Sequence, residues 1–220
     1  MKANSLLREG KLIAIALIPF MYLALIWNQL PDSVPMHYGP TCEPDRYGFK
    51  TELVVSFGVL NMLMYVLFGL LPRFDPKGKL SSANYGRIRT ATTVFIALLT
   101  MFMFYTTHTG WRGETFINAI FVLVFLLLAG LGNFMNTVRP NYFVGFRTPW
   151  TLENEDVWRQ THRVVSRWWV IGGLVGAAGV FFVPTSLKLG WVLTITLVLA
   201  VLPYVYSYRL FRQHKLNQAQ

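Results

Sequence analysis

The sequence is poor in charge. Asp, Glu, Lys and Arg make up only 14% of its 220 residues, while hydrophobic residues make up 54%, and a soluble domain carries charge on about a quarter of its positions. Charged residues are also missing from the interior of six apolar runs, each about 20 residues long and able to cross a hydrocarbon layer as a helix. These absences exclude an ordinary soluble fold and predict an all-α, polytopic integral membrane protein with six transmembrane helices. The runs lie near residues 11–30, 53–72, 90–107, 115–135, 168–187 and 189–208.

Cysteine is nearly absent as well. Cys42 is the only one in the sequence, so no disulfide can form within the chain, and nothing in the sequence motivates an intermolecular one. His37, Glu43 and Asp45 lie close to this cysteine, but their spacing fits no established zinc pattern. A hydrogen bond to the backbone of its own loop is the better explanation for His37. We therefore expect no metal and no cofactor.

Motifs of catalysis and of ion coupling are missing too. The sequence contains no evident pair of nucleophile and base and no glycine-rich phosphate loop, and ion-coupled transport usually requires ionisable groups within the spans. A proton-coupled carrier is thus disfavoured, and we expect the protein not to be an enzyme. An intramembrane enzyme stays open if Asn61, Asn118 or Asn133 lines a cavity, and so does an ion-independent carrier that acts on a lipid or peptide.

Positive charge is present in excess, and its distribution predicts the topology. The net charge is +10, and sixteen of the 20 Lys and Arg residues fall in the two termini and in the second and fourth loops. Because basic loops stay on the cytoplasmic side, we expect both termini to be cytoplasmic. The first apolar run follows a basic stretch, but no small-x-small cleavage site comes after it, so we expect an uncleaved first span.

The second loop, RFDPKGKLSSANYGRIRT, predicts a linker because it is basic and rich in turn-forming residues. It divides the chain into a two-helix N-terminal unit and a four-helix unit. The first unit covers residues 1–76 and contains an outward loop at 31–52; the second covers 77–220 and contains a cytoplasmic loop at 136–167.

The fourth loop is the longest polar stretch of the chain, and it predicts a helix in the headgroup layer. Thr148 can cap this helix with Pro149 in the first helical position, or Thr151 can cap it one turn later. The predicted interfacial helix covers residues near 150–167, with arginines at four-residue intervals along one side. On a different side, His162 lies one turn after Trp158 and could stack with it.

Arginine, asparagine and tryptophan residues are concentrated in the segment before and at the start of this helix. Arginine forks and asparagine amides are hydrogen-bond donors of fixed geometry, and near a membrane they need carbonyl, lipid phosphate or ligand partners. A simple interfacial anchor is the plainer explanation, but it does not account for the concentration of these residues. We therefore predict a ligand-binding loop made of Arg139, Asn141, Arg147, Trp150, Trp158, His162 and Arg163.

The stretch RPNYFVGFRTPWTLENEDVWRQTHR resembles the signature of the SdpI family of bacterial membrane proteins. The resemblance is long and specific. The matching elements are Arg139-Pro140-Asn141, Gly145, the block from Arg147 to Leu152, Trp158, and Thr161-His162-Arg163.

The first loop, VPMHYGPTCEPDRYGFK, resembles a short domain of unknown function that often precedes this signature. The matching residues are Pro35, His37, Pro44, Asp45 and Lys50. Cys42 departs from the pattern because it stands where glycine is expected, and cysteine disfavours the positive φ that glycine accepts.

The resemblance implies a bacterial inner-membrane protein that gives immunity to a secreted, membrane-active antimicrobial peptide of the SdpC-like kind. Its expected partners are the toxin peptide and membrane lipids, and no direct binding of nucleic acid is expected. His37, Asp45 and Lys50 would shape the outer face where the toxin arrives. The family member that gives the name also signals to a cytoplasmic transcriptional repressor, and whether this role carries over stays open.

Overall fold

The structure, a computed structural model, describes residues 2–39, 43–76 and 83–218. The predicted α-helical class is observed, since most described residues are helical. Cys42 lies outside the described residues, as do residues 77–82 of the predicted linker. The helices are α1 (Lys2–Ile26), α2 (Lys50–Phe74), α3 (Ala83–Thr109), α4 (Gly113–Met135), α5 (Pro149–Glu153), α6 (Glu155–Gly179) and α7 (Lys188–Gln218), and short 3₁₀ helices cover Trp27–Gln29 and Thr185–Leu187.

Five helical segments within the described residues are long and apolar enough to cross a membrane. They make the chain a multi-pass α-helical membrane protein. These segments are Leu6–Gln29, Lys50–Phe74, Tyr85–Thr109, Gly113–Met135 and Thr185–Asn217.

Helix α6 is not among these five segments, because its first half carries Arg159, Arg163 and Arg167. Most of the predicted interfacial helix, from Glu155 onward, and the predicted fifth span up to Gly179 lie in this one continuous helix. It ends at Gly179, eight residues before the predicted end of that span, and residues 180–183 follow as turns and a bend.

The predicted outward loop contains a small sheet that the sequence did not predict. Strands β1 (Ser33–Tyr38) and β2 (Pro44–Phe49) pair antiparallel. Their register shifts on both sides of His37, so the strands are irregular there. This β-hairpin connects α1 to α2, because the residue after β2 is already Lys50 at the start of α2.

The described chain divides into two compact units by its internal contacts. Unit 1 comprises 1–69 and 89–120, and unit 2 comprises 70–88 and 121–220. The core of unit 1 lies where the end of α1, the β-hairpin and the start of α2 meet α3. Its buried members are Leu23, Ile26, Leu30, Val34, Leu53 and Phe104.

The core of unit 2 forms where α6 packs closely on α4. A Cβ at Gly173 would lie 2.7 Å from the Phe125 carbonyl oxygen and 2.9 Å from the Ala129 Cβ, and Gly176 lies against the Phe125 ring. Small residues at this spacing let two helix backbones approach. The glycines of α6 therefore serve packing within the chain, as the buried residues Phe125, Ala177 and Val180 show.

Candidate functional site

The fourth loop begins with a turn built around Asn141, which is only 1% exposed. Its side-chain Nδ2 donates to the carbonyls of Arg139 (2.8 Å) and Val144 (3.0 Å), while its Oδ1 accepts from the amides of Phe143 (2.8 Å) and Val144 (2.7 Å). Both donors and both main acceptor directions of the amide are thus in use within the loop. Asn141 fixes the path of the chain between α4 and α5.

Gly145 follows this turn and brings the backbone against two aromatic rings. Its φ is +109°, a conformation that side chains other than glycine rarely adopt. A Cβ at this position would overlap His162 Nε2 and lie 3.2 Å from the Trp158 ring. Glycine is therefore required here on two independent grounds, the backbone angle and the close approach.

His162 and Trp158 form the buried centre of the loop. Their rings stack with centroids 4.1 Å apart and an interplanar angle of 18°, which confirms the stacking expected from their spacing. Trp158 is fully buried, and its indole Nε1 donates to the carbonyl of Val138 at 2.9 Å. The pair ties α6 back to the residues that follow α4.

The hydrogen bonds of His162 define its protonation state. The Phe146 amide donates to Nε2 at 3.0 Å, so this nitrogen is the unprotonated one, and Nδ1–H donates to the Trp158 carbonyl at 2.9 Å. Burial lowers the pKa of His162 from 6.5 to about 4, and the hydrogen bond to Trp158 opposes this shift only in part. The imidazole is therefore neutral at physiological pH and has both nitrogens occupied.

Two consecutive caps start the helical part of the loop. Thr148 caps α5 with Pro149 in the first helical position, and Thr148 and Thr151 satisfy each other's backbone amides, which confirms the first of the two predicted caps. The helix then stops, because Asn154 is extended and its Oδ1 accepts from the amides of Asp156 (2.8 Å) and Val157 (3.1 Å) to begin α6. The predicted helix near 150–167 is thus two helices joined at Asn154.

The short helix α5 is fastened to α7 through Trp150. The indole Nε1 of Trp150 donates to Ser207 Oγ at 2.5 Å, and its ring meets the edge of Tyr208 at 5.3 Å. Ser207 itself is fully buried. Trp150 is half-buried, so one part of the indole packs on α7 while another part stays accessible.

The three predicted arginines of the loop are all exposed. Arg147 Nη1 donates to the carbonyl of Tyr142 at 2.6 Å, which uses one of its five donors. Arg163 lies on α6 one turn after Arg159, whose guanidinium pairs with Asp156. Of the seven predicted residues, the structure therefore buries three that hold the loop together and exposes three that present charge, while Trp150 is half-buried.

Two predicted residues of the β-hairpin form an exposed pair. His37 Nδ1 lies 2.6 Å from Asp45 Oδ1, and the two side chains are 65% and 50% exposed. The pair bridges β1 and β2 at the irregular part of their register. His37 therefore forms a hydrogen bond within its loop, but its partner is the Asp45 carboxylate and not the predicted backbone group.

Lys50, the third predicted residue of this region, faces inward at the start of α2. Its side chain is 19% exposed, and Nζ lies 3.0 Å from Asp32 Oδ1 and 3.4 Å from the Leu30 carbonyl. The ammonium also lies 5.1 Å from the centre of the Trp27 ring, within the range of a cation–π contact. Lys50 thus joins the base of the hairpin to the end of α1.

A third polar cluster was missed by sequence reasoning. Arg89 on α3 is 7% exposed and forms a bidentate pair with Glu9 on α1, at 2.5 and 2.8 Å. Tyr65 on α2 donates to the same carboxylate at 2.7 Å, and its ring lies 5.0 Å from the Arg89 guanidinium. Glu9 and Arg89 stand just outside the apolar runs, so no local pattern indicates that three helices bring them together.

The groups that these sites present are hydrogen-bonded polar side chains and exposed charges. Within the described ranges, no group of three or more His, Cys, Asp or Glu side chains is arranged to hold a metal ion. The buried histidine is held neutral between two backbone groups, and the exposed charged groups of the fourth loop are five arginines and three acids. The apolar helices, together with a basic loop that has a closed aromatic centre and a polar hairpin, define the class of multi-pass α-helical membrane proteins.

Two segments of the chain match known protein families. Residues 137–207 match the SdpI/YfhL protein family, and residues 14–62 match a domain of unknown function, DUF1648. The chain therefore carries the SdpI family segment together with the N-terminal domain expected from the first loop, and the predicted resemblance is confirmed.

The chain is also similar to curated proteins. It is 26% identical over 208 residues to "Immunity protein SdpI" of Bacillus subtilis (strain 168), covering 93% of this chain and 95% of that protein. It is 36% identical over 87 residues to an uncharacterized protein of Archaeoglobus fulgidus, covering 36% of this chain and 47% of that protein. No solved structure matches the chain.

Proposed function

We propose that the protein gives its cell immunity to a secreted, membrane-active antimicrobial peptide of the SdpC-like kind, by a non-enzymatic role. The observation that carries this proposal is the similarity to an immunity protein over 93% of the chain. The polar loop with the SdpI family segment supports it. The competing functions, a membrane enzyme or an ion-independent carrier for a lipid or peptide, have no comparable support from the buried groups of the loop.

The proposed topology has six crossings with both termini in the cytoplasm of a bacterial inner membrane. Five crossings correspond to the five apolar segments, and the second half of α6 with the residues after it supplies the remaining one. The first half of α6 then lies in the headgroup layer on the cytoplasmic side. The excess of Lys and Arg in alternate loops supports this orientation.

In this topology the toxin meets the β-hairpin first, at the exposed pair of His37 and Asp45. Lys50 stabilises the base of the hairpin through its contacts with Asp32 and the Leu30 carbonyl. The exposed groups Arg139, Arg147, Arg163 and Trp150 are the proposed ligand contacts on the opposite side. Asn141, Trp158 and His162 act on the ligand through the loop that they hold in place.

The test is protection of a sensitive cell that expresses the chain and is challenged with an SdpC-type peptide. We expect the wild type to protect and Arg147→Ala to raise the sensitivity, because loss of a charged hydrogen-bond donor weakens binding by roughly tenfold. Arg73→Ala removes an equally exposed arginine outside the loop and serves as the matched control. Absence of protection by the wild type would refute the proposal, and turnover of a lipid by the purified protein would support the competing enzyme.

A cytoplasmic repressor is a further proposed partner. Contact with it requires that Arg147 faces the cytoplasm. Replacing Cys42 with serine and Arg147 with cysteine leaves one thiol for labelling by an impermeant reagent. We expect labelling only after the inner face is exposed. Labelling of position 147 in intact cells would exclude both the proposed topology and contact with a repressor.

A further inference from the structure

An apolar crevice of about 330 Å³ lies between α1 and α2. This volume falls within the range of small-molecule sites, about 300–1,000 Å³. Its walls are formed by aliphatic and aromatic side chains, with two polar side chains among them. The lining residues are Ile13, Ala16, Leu17, Phe20, Gly58, Asn61, Met62 and Tyr65.

The crevice lies within two segments that are apolar enough to span a membrane, and its rim is exposed. Leu17 is 51% exposed and Met62 is 70% exposed. Gly58 leaves open space on its side, because a Cβ there would meet no atom within 4 Å. The polar wall residue Asn61 is occupied, since its Nδ2 donates to Thr100 Oγ1 at 2.8 Å and to the Phe57 carbonyl at 2.9 Å.

One end of the crevice is electrically positive. Tyr65 lines the crevice and also donates to Glu9, whose carboxylate is paired with Arg89 and lies 3.9 Å from Arg8 Nη2. Two guanidinium groups on one carboxylate leave a net charge of one at this end. Arg8 is 53% exposed, and Nε of Arg89 has no hydrogen-bond partner among the described residues.

We propose that this crevice binds one phospholipid with an anionic headgroup, whose acyl chain lies between α1 and α2 and whose phosphate lies at Arg8. The apolar walls match a hydrocarbon chain, and the positive end matches a phosphate. The lipid comes from the leaflet at the N-terminal end of α1, which is the inner leaflet in the proposed topology. Tyr65 joins the two parts, because it borders the chain site and holds the carboxylate between the two arginines.

The site is tested by native mass spectrometry of the full-length protein with phosphatidylglycerol and, separately, with phosphatidylcholine. We expect a retained phosphatidylglycerol adduct on the wild type and its loss in Gly58→Leu, because Gly58 lines the crevice and a Cβ at this position meets no atom within 4 Å. Gly130→Leu is the matched control, since Gly130 on α4 also faces open space outside the crevice. We expect Gly130→Leu to keep the phosphatidylglycerol adduct.

The headgroup is tested by Arg8→Gln, which removes the accessible guanidinium and leaves the buried pair of Glu9 and Arg89 in place. We expect the preference for phosphatidylglycerol over phosphatidylcholine to fall about fivefold, the equivalent of ~1 kcal/mol for one basic residue at an anionic surface. Equal binding of both lipids by the wild type would overturn the headgroup assignment.

A second crevice variant, Ala16→Leu, guards against a folding defect in Gly58→Leu, and thermal melting of each purified variant shows whether it is folded. Retention of the adduct by both folded variants would overturn the site, as would a co-purified peptide in place of a lipid. Lipid occupancy needs no toxin, so this result is independent of the immunity assay.

Discussion

The β-hairpin and the fourth loop each contain a predicted histidine, and the two histidines differ in almost every respect. His37 has a side chain that is 65% exposed and pairs with a carboxylate across two strands. His162 is 1% exposed, stacks on Trp158 and has each ring nitrogen bonded to a backbone group. The comparison shows that a histidine in a polar motif can be held inside a loop by backbone groups or stay accessible beside a carboxylate, and that burial of the ring distinguishes the two arrangements.

The largest expected change in stability follows from removal of the aromatic partner of His162. Trp158→Ala deletes a fully buried indole together with its hydrogen bond to Val138. We expect the free energy of unfolding to fall by about 4 kcal/mol, the usual cost of truncating a buried tryptophan, measured by denaturation in detergent micelles.

Trp111 provides the control for this substitution. It is 44% exposed in the connection between α3 and α4, and its ring packs edge-on with that of Tyr105. Trp111→Ala is expected to change the stability by less than about 1 kcal/mol. Equal losses in the two variants would contradict a structural role for the buried pair.

The stability that His162 contributes is expected to depend on pH. The pKa of His162 is about 4 in the folded protein and about 6.5 in the unfolded chain, so the unfolded state binds more protons between these values. The contribution of His162 to stability is therefore complete above pH 6.5 and is lost as the pH falls through 4, by up to about 3 kcal/mol in total.

His162→Gln isolates this contribution, because glutamine does not titrate. We expect the stability of the wild type to fall more steeply between pH 6.5 and 4 than that of the variant, with equilibrium unfolding at each pH as the measurement. Parallel curves for the two proteins would show that His162 is not held neutral.

The smallest expected change in stability concerns the exposed pair of His37 and Asp45 in the hairpin. Asp45→Asn removes the charge that faces His37, and exposed ion pairs contribute at most about 1 kcal/mol. We expect the melting temperature to stay nearly constant while protection against the toxin falls. A matched loss of stability and protection would instead assign the pair to the fold.

Local sequence rules predicted part of the fourth loop. Thr148 followed by Pro149 was recognisable as a helix start because capping depends on neighbouring residues alone. The stack of Trp158 on His162 followed from their spacing of one helical turn. The break at Asn154 was missed, since an asparagine can cap a second helix directly after a first one only if the backbone turns extended there.

Long-range arrangements escaped prediction for a different reason. The bond from Trp150 to Ser207 joins residues 57 positions apart, and the pair of Glu9 and Arg89 joins residues 80 positions apart. No periodicity relates such residues. The strands of the hairpin were also missed, because the prolines in the first loop favoured an extended segment without pairing.

Helix α6 has no joint between its basic half and its apolar half. Its 25 residues form a rod about 38 Å long at ~1.5 Å per residue. Any tilt of the apolar half of this helix must also move the arginine half, and a tilt of about 10° corresponds to a displacement of roughly 7 Å over that length. In the proposed topology, a disturbance inside the bilayer would thereby become a displacement of the exposed arginines.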